Sequence, residues 1–398
     1  MCEARSEGQL YPWPGRTRSG ILAACCLIVC ILVLLSQRAA AQGEPPAVKP
    51  SPPEGKESGQ GTDDSAGVKI FLNGYLTQAY AISDGNQILG IPKQGTADYR
   101  TAAVQMRADM TPQDTFSVKL RHERIGESPY QAFQPEVALD WLFYQHRFDD
   151  SVIRVGRVKI PFGLFNEVRD VGALLPFYRA PADFYGAGSF TTETVDGALV
   201  NHSFDFGRGW QLDGDVYFGN WEFVANESEG VFRSKARNTL GVELRLATPL
   251  TGLQLSVGGM DFKVVKEEVL QTVTTPSKSY HVSLEESYRR LVARVEYKYR
   301  HTADAKIASG YVQMGFRLTD KLTANVQMER FHLVIEELPS GVDQDKDCAL
   351  GLSYAFRVGL VLKLEHHWNR GFGQEPPSSI FGPKHDTRYG ILSLATSF

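Results

Sequence analysis

Beyond its first 41 residues the chain keeps one cysteine, Cys348; the other four, Cys2, Cys25, Cys26 and Cys30, lie within them. No internal disulfide can brace the rest of the protein. No stretch after residue 41 offers the roughly twenty consecutive apolar residues of a membrane-spanning helix. An excess of basic charge is missing too. The formal net charge is -4 over 398 residues, and the first 41 carry four Arg against two acidic residues, so the remainder stands near -6. Nothing in that balance suggests a basic nucleic-acid-binding surface. No Ser, His and acidic set has the spacing of a recognisable hydrolase. His366 and His367 are adjacent, so on a strand they face opposite sides and cannot share a metal ion.

What is present points to sheet. Glycine is plentiful, at 37 residues, and aromatics make up 11%, a composition suited to many turns and aromatic belts. The N-terminus is different in kind. Arg16 and Arg18 precede an apolar run over 21–35, and Ala39, Ala40 and Ala41 follow before Gln42. Charged region, apolar core and small-residue site in that order define a secretory signal peptide over 1–41. Residues 42–67, rich in Pro, Gly, Ser, Glu and Lys without an apolar period, are expected to form a disordered periplasmic leader.

From Val68 onward the chain divides into strands of roughly ten to fifteen residues. Short, turn-forming connections are expected at 111–115, 148–151, 206–209, 248–252, 284–287, 319–321 and 356–359. Longer ones centre near 84–96, 127–134, 161–193, 221–236, 265–277, 302–305, 336–346 and 371–384. Seven short turns and eight long loops separate sixteen strands. If 278–287 were part of one longer strand, that count would not close. Within the strands the faces separate. Val104, Met106, Ala108 and Met110 oppose Gln105, Arg107 and Asp109. Leu291, Ala293, Val295, Tyr297 and Tyr299 oppose Arg290, Arg294, Glu296, Lys298 and Arg300; Leu360, Leu362 and Leu364 oppose Lys363, Glu365, His367 and Asn369. Period-two alternation with so many charges fits a soluble sandwich or a membrane barrel with its charges in a watery lumen. Signal peptide, strand length and lack of disulfides favour the barrel, residues 68–398, an all-β transmembrane antiparallel β-barrel.

The last strand, over 389–398, alternates apolar with small or polar residues and ends in Phe398. It resembles the assembly signal of bacterial outer-membrane β-barrels. The stretch Gly156-Arg157-Val158-Lys159-Ile160-Pro161-Phe162-Gly163 is similar to one in the phosphate-selective porin O and P family, where it leads into an inward-folded third loop. The resemblance implies a sixteen-stranded, usually trimeric diffusion channel in the outer membrane, inserted by the barrel-assembly machinery. It implies passage of small hydrophilic solutes or ions; no cofactor is expected, and the charge balance gives no sign of a nucleic-acid partner. A loop over 161–193 with this much Phe, Leu and Tyr would be poorly hydrated in solvent, and folding inward solves that. The pore-constriction candidates are then Arg157, Lys159, Arg169 and Arg179 against Glu167, Asp170 and Asp183. Mixed signs give a transverse field rather than an anion trap, so phosphate selectivity is not carried over. The alternatives are an outer-membrane barrel hydrolase and a non-conducting structural or adhesin barrel.

Overall fold

The computed structural model describes residues 67–398 apart from 134, 187–191, 228–229, 268–271, 304 and 373–382. The expected signal peptide and almost all of the leader lie outside the described residues. Sixteen strands follow in chain order: β1 (Lys69–Ser83), β2 (Thr96–Asp109), β3 (Asp114–Ile125), β4 (Ala138–Arg147), β5 (Ser151–Lys159), β6 (Thr194–Gly207), β7 (Trp210–Glu227) and β8 (Gly230–Ala247), then β9 (Leu253–Glu267), β10 (Thr272–Tyr288), β11 (Leu291–Thr302), β12 (Ala305–Arg317), β13 (Leu322–Ile335), β14 (Leu338–Arg357), β15 (Leu360–Gly371) and β16 (His385–Ser397). Each pairs antiparallel with the next, and β16 pairs with β1, so the sheet closes into a barrel. The closing ladder runs from Tyr75 opposite Ser397 to Ser83 opposite Tyr389. Closure leaves no unpaired edge, the condition under which a sheet can sit in hydrocarbon.

Exposure is inverted relative to a water-soluble protein. On β15, Lys363, Glu365, His367 and Asn369 are buried, whereas Leu364 is 57% exposed. On β11, Glu296, Lys298 and Arg300 are buried and Tyr297 is exposed. Leu72, Val104, Val257, Val282, Met328 and Leu350 are exposed on the same outer surface. A belt of this kind would be an aggregation surface in water; against lipid it is the favourable side of a barrel. Phe148, Phe206, Trp210, Phe316 and Phe356, all exposed, lie at or within two residues of the short turns. They form the interfacial aromatic girdle expected at one rim of a membrane barrel.

The strand count expected from the sequence holds, but several boundaries move. The turn expected at 284–287 lies at residues 289–290, after β10 has run on to Tyr288. Arg289 takes the left-handed conformation, φ 53°, that a two-residue hairpin demands. The loops expected at 221–236, 265–277 and 336–346 are largely strand: β14 alone is 20 residues long. Above the bilayer both faces of a hairpin meet water, so the ladder continues while the apolar alternation that reports it fades.

Candidate functional site: the inward segment

One connection, 160–193, enters the barrel. Its base is tied by Ile160 N donating to Glu193 O at 3.0 Å, and by the buried Asn166 side chain donating to Ile160 O at 3.0 Å and Thr192 O at 3.1 Å. Gly163 has φ +63°, and a Cβ there would meet Glu296 Oε1 at 2.4 Å and the Tyr185 hydroxyl at 2.5 Å. Only glycine fits. Irregular backbone inside a barrel must find partners for its N–H and C=O groups, and here the wall supplies them. Leu164 N donates to Glu296 Oε1 at 2.9 Å, Tyr178 N to Glu365 Oε1 at 2.5 Å, and Asp183 N to Glu329 Oε2 at 2.8 Å. In the opposite sense Lys363 Nζ donates to Gly172 O and Phe177 O, each at 2.6 Å, and Lys298 Nζ to Phe184 O at 2.7 Å. Ser353 Oγ donates to Pro176 O at 3.0 Å. These anchors come from β11, β13, β14 and β15, on the far side of the lumen from β5. The segment therefore crosses the barrel.

Its apolar residues have a destination as well. Phe162, Phe165, Phe184 and Tyr185 join Leu199, Tyr217, Phe262 and Tyr311 in one buried cluster. Phe162 packs 5.6 Å from Phe184, and Phe165 lies 6.3 Å from Tyr311, measured between ring centroids. Burying each of these rings is worth about 1.5–3 kcal/mol, which explains why so aromatic a loop leaves solvent.

The constriction candidates divide. Lys159, Arg169 and Asp170 come together against β3 and β4. Asp170 Oδ2 is 3.3 Å from both Lys119 and Lys159, and Oδ1 is 3.3 Å from Arg121. Arg169 binds Glu193 at 2.5 Å and donates to Tyr185 O at 2.9 Å; Lys119 binds Asp140 at 2.7 Å. Burial pushes the Asp170 carboxyl up, but Lys159, Arg121, Lys119 and Arg169 together hold it well below the usual range. A depressed carboxylate contributes its stability above the unfolded pKa and loses it only as pH falls through the folded one. The network thus keeps its charge through neutral and mildly acidic solution. Glu167 is in a different place, 3.1 Å from Arg245. Asp183 lies beneath Glu329, Asp345 and Asp347; burial first, then those carboxylates, push it well above its usual range, which weakens it as a fixed negative charge. Arg179 stands over the rings of Tyr99 and Tyr178, 5.2 and 5.9 Å from their centroids, and makes no ion pair among the described residues.

Arg157 corrects the expectation. It lies opposite Leu142 and Asp196 in the register, on the outward face with Val155, and binds Asp196 through Nε at 2.6 Å and Nη2 at 2.9 Å. It cannot line the pore. Counting alternation forward from the lumenal Arg154 puts Arg157 outside; Lys159, of the same parity at the strand's end, nevertheless turns in to Asp170. Conversely, Glu296, Lys298, Glu329, Lys363 and Glu365 hold the segment and were not among the candidates. All five stand on polar faces of the sequence pattern, Glu329 with Thr323, Asn325 and Gln327 opposite Leu322, Ala324, Val326 and Met328, but nothing local marks which loop a strand residue will meet.

Two cavities flank the segment. One, of about 400 Å3, lies towards the long loops and is lined by Tyr99, Arg121, Glu123, Arg169, Tyr178 and Arg179 among others. The other, of about 330 Å3, lies towards the short turns, with Arg154, Glu167, Asp213, Asp215 and Arg245 on its wall. Asp140, Asp170 and Glu193 come close enough together to hold a cation, but Lys119, Arg121, Lys159 and Arg169 already occupy that role.

No family model and no curated protein matches the chain. Solved structures do. Salmonella typhi OmpF in complex with daunomycin superposes with a TM-score of 0.58 at 10% identity, covering 84% of this chain and 98% of that one. OmpT of Vibrio cholerae in its trimer form gives 0.56 at 10%, covering 83% and 99%. The anion-selective porin from Comamonas acidovorans gives 0.54 at 10%, covering 83% and 100%. The fold is that of the bacterial outer-membrane β-barrels. The superposition takes in nearly the whole of each of those chains, and the apolar outer belt of this barrel suits a membrane.

Proposed function

We propose that this barrel is a passive channel for small hydrophilic solutes or ions, and not an enzyme. The observation that supports this best is the inward segment, which narrows the lumen between two cavities that both have charged side chains on their walls. A charged lumenal wall with a folded-in constriction is the arrangement by which pores set size and charge preference. We further read the protein as a homotrimer delivered by the barrel-assembly machinery, with kinship to the phosphate-selective porin O and P family resting on the run 156–163, which forms the end of β5 and the entry to the segment. Export implies that the mature chain begins near Gln42; N-terminal sequencing of protein from the outer-membrane fraction checks this, and an uncleaved chain in the inner membrane would contradict it.

Single-channel recording in planar bilayers tests the channel. Discrete current steps in KCl are expected. Since Arg169 is bound to Glu193 and Arg179 is not paired, Arg179→Ala should move the reversal potential towards cations, and more at low salt, where screening is weak. Arg169→Ala should move it less. A second reading also has an observation behind it. The segment reaches the far wall and packs an apolar cluster inside the barrel, as a filled, non-conducting barrel would require. Folded, heat-modifiable protein that gives no current steps would favour that reading.

A further inference from the structure

The cavity on the short-turn side of the segment is lined almost wholly by polar side chains. Arg245 reaches Glu167 at 3.1 Å and Asp215 at 2.8 Å, so three of the five charges there form one group. The remaining two have no opposite charge in ion-pair reach among the described residues. Arg154 donates from Nε to Gln145 Oε1 at 2.9 Å and lies over the Phe143 ring, 5.6 Å from its centroid, which leaves its terminal nitrogens without protein partners. Asp213 accepts from Ser203 Oγ at 2.6 Å and Gln211 Nε2 at 3.0 Å. These neutral donors hold the carboxylate in place without cancelling its charge.

The register sets the separation of the two groups. Arg154 lies opposite Leu199 and Asp213 opposite Ser203, so they are offset by four residues of β6. At 3.3 Å per residue along β6 and two interstrand spacings of about 4.8 Å across it, their backbones are about 16 Å apart, and both side chains line one cavity. The long arginine side chain shortens that gap towards the span of a dipeptide, which stretches roughly 7 Å end to end. The group around Arg245 carries one negative charge in excess, which favours an ammonium and disfavours a simple anion.

We propose that this cavity is a binding subsite for a small zwitterion of short-peptide size, its carboxylate on Arg154 and its ammonium on Asp213. As a statement about permeant solutes it rests on the channel reading above; as a binding site it is measured without it. The probe is labelled glycylglycine, dialysed to equilibrium against the full-length barrel in detergent, with acetate and ethylammonium as competitors. Glycylglycine is expected to bind, and each fragment to compete at least tenfold more weakly than unlabelled glycylglycine. Arg154→Gln and Asp213→Asn should each weaken binding about tenfold, or ~1.4 kcal/mol, in protein whose gel mobility shows a closed barrel. The fragment comparison needs no variant, so it stands even if a substitution hinders folding. No binding, acetate competing as well as the dipeptide, or folded variants that both bind like the parent chain would overturn the proposal. A barrel that conducts KCl without binding glycylglycine removes this inference and spares the channel. One that binds without conducting does the reverse.

Discussion

Replacing Glu296 with alanine is expected to leave the barrel closed and raise its single-channel conductance. The Glu296 carboxylate is the densest anchor of the inward segment. It accepts from Leu164 N at 2.9 Å and from Tyr311 at 2.5 Å, and also from the hydroxyls of Tyr185 and Ser283. Two of these donors belong to the segment and two to the wall. Truncation leaves all four buried without their acceptor, and each unsatisfied donor costs about 1–3 kcal/mol. The sum rivals the whole stability of an ordinary domain, about 5–15 kcal/mol, so the segment should leave its position rather than bear it. The strands are not at risk to the same degree, because their ladders are backbone to backbone. Heat-modifiable mobility should therefore persist while current steps grow and become noisier. Glu296→Gln keeps one acceptor oxygen and should fall between. If Glu296→Ala conducts like the parent chain, the apolar cluster and the remaining wall anchors hold the segment without Glu296.

The same residue shows where sequence reading succeeds and stops. Alternation on β11 alone assigns Glu296 to the polar, lumenal face, because period two is a local property. Its partners are 132 residues away at Leu164 and 111 away at Tyr185, and no local pattern encodes such a meeting. Strand number was legible for the same reason that strand ends were not. Short turns carry their own chemistry, as at Gly207 and Gly209, φ 72° and 82°, while the hairpin tips extend into water, where neither face need be apolar. The inward course of 160–193 was legible from its aromatics, since no other location buries them. Which of its charges remain unpaired was not. Arg169 and Arg179 look alike in sequence, yet one is bound to Glu193 and the other rests on tyrosine rings. Arg157 stands in the family-like run beside the segment, yet alternation separates it from Arg154 and turns it outward.

Deleting Phe398 is expected to cut the yield of closed barrel in cells far more than it destabilises barrel refolded in detergent. Phe398 is 72% exposed, so it contributes little to any internal core. What it does make is local: Phe398 N donates to Gly74 O and Gly74 N to Phe398 O, each at 3.0 Å. The far edge of its ring lies against Gly74, where an added Cβ would stand 2.5 Å from Cζ. Two hydrogen bonds of about 1 kcal/mol each are a minor loss beside the rest of the β1–β16 ladder. Thermodynamics alone therefore predicts a small effect on refolding. A large effect in cells would have to come from recognition of the terminal residue during insertion, the role we propose for it. Gly74→Val separates the two terms: it displaces the ring and strains the seam but keeps the terminal residue, so it should harm refolding more than the deletion does and assembly less. Phe356→Ala, which removes another exposed aromatic at the same rim, is the control; Phe381, the other aromatic near the last strand, lies outside the described residues. Gel mobility after refolding and after expression reads both quantities. Parallel losses in the two settings would make Phe398 a structural clasp and not an assembly signal.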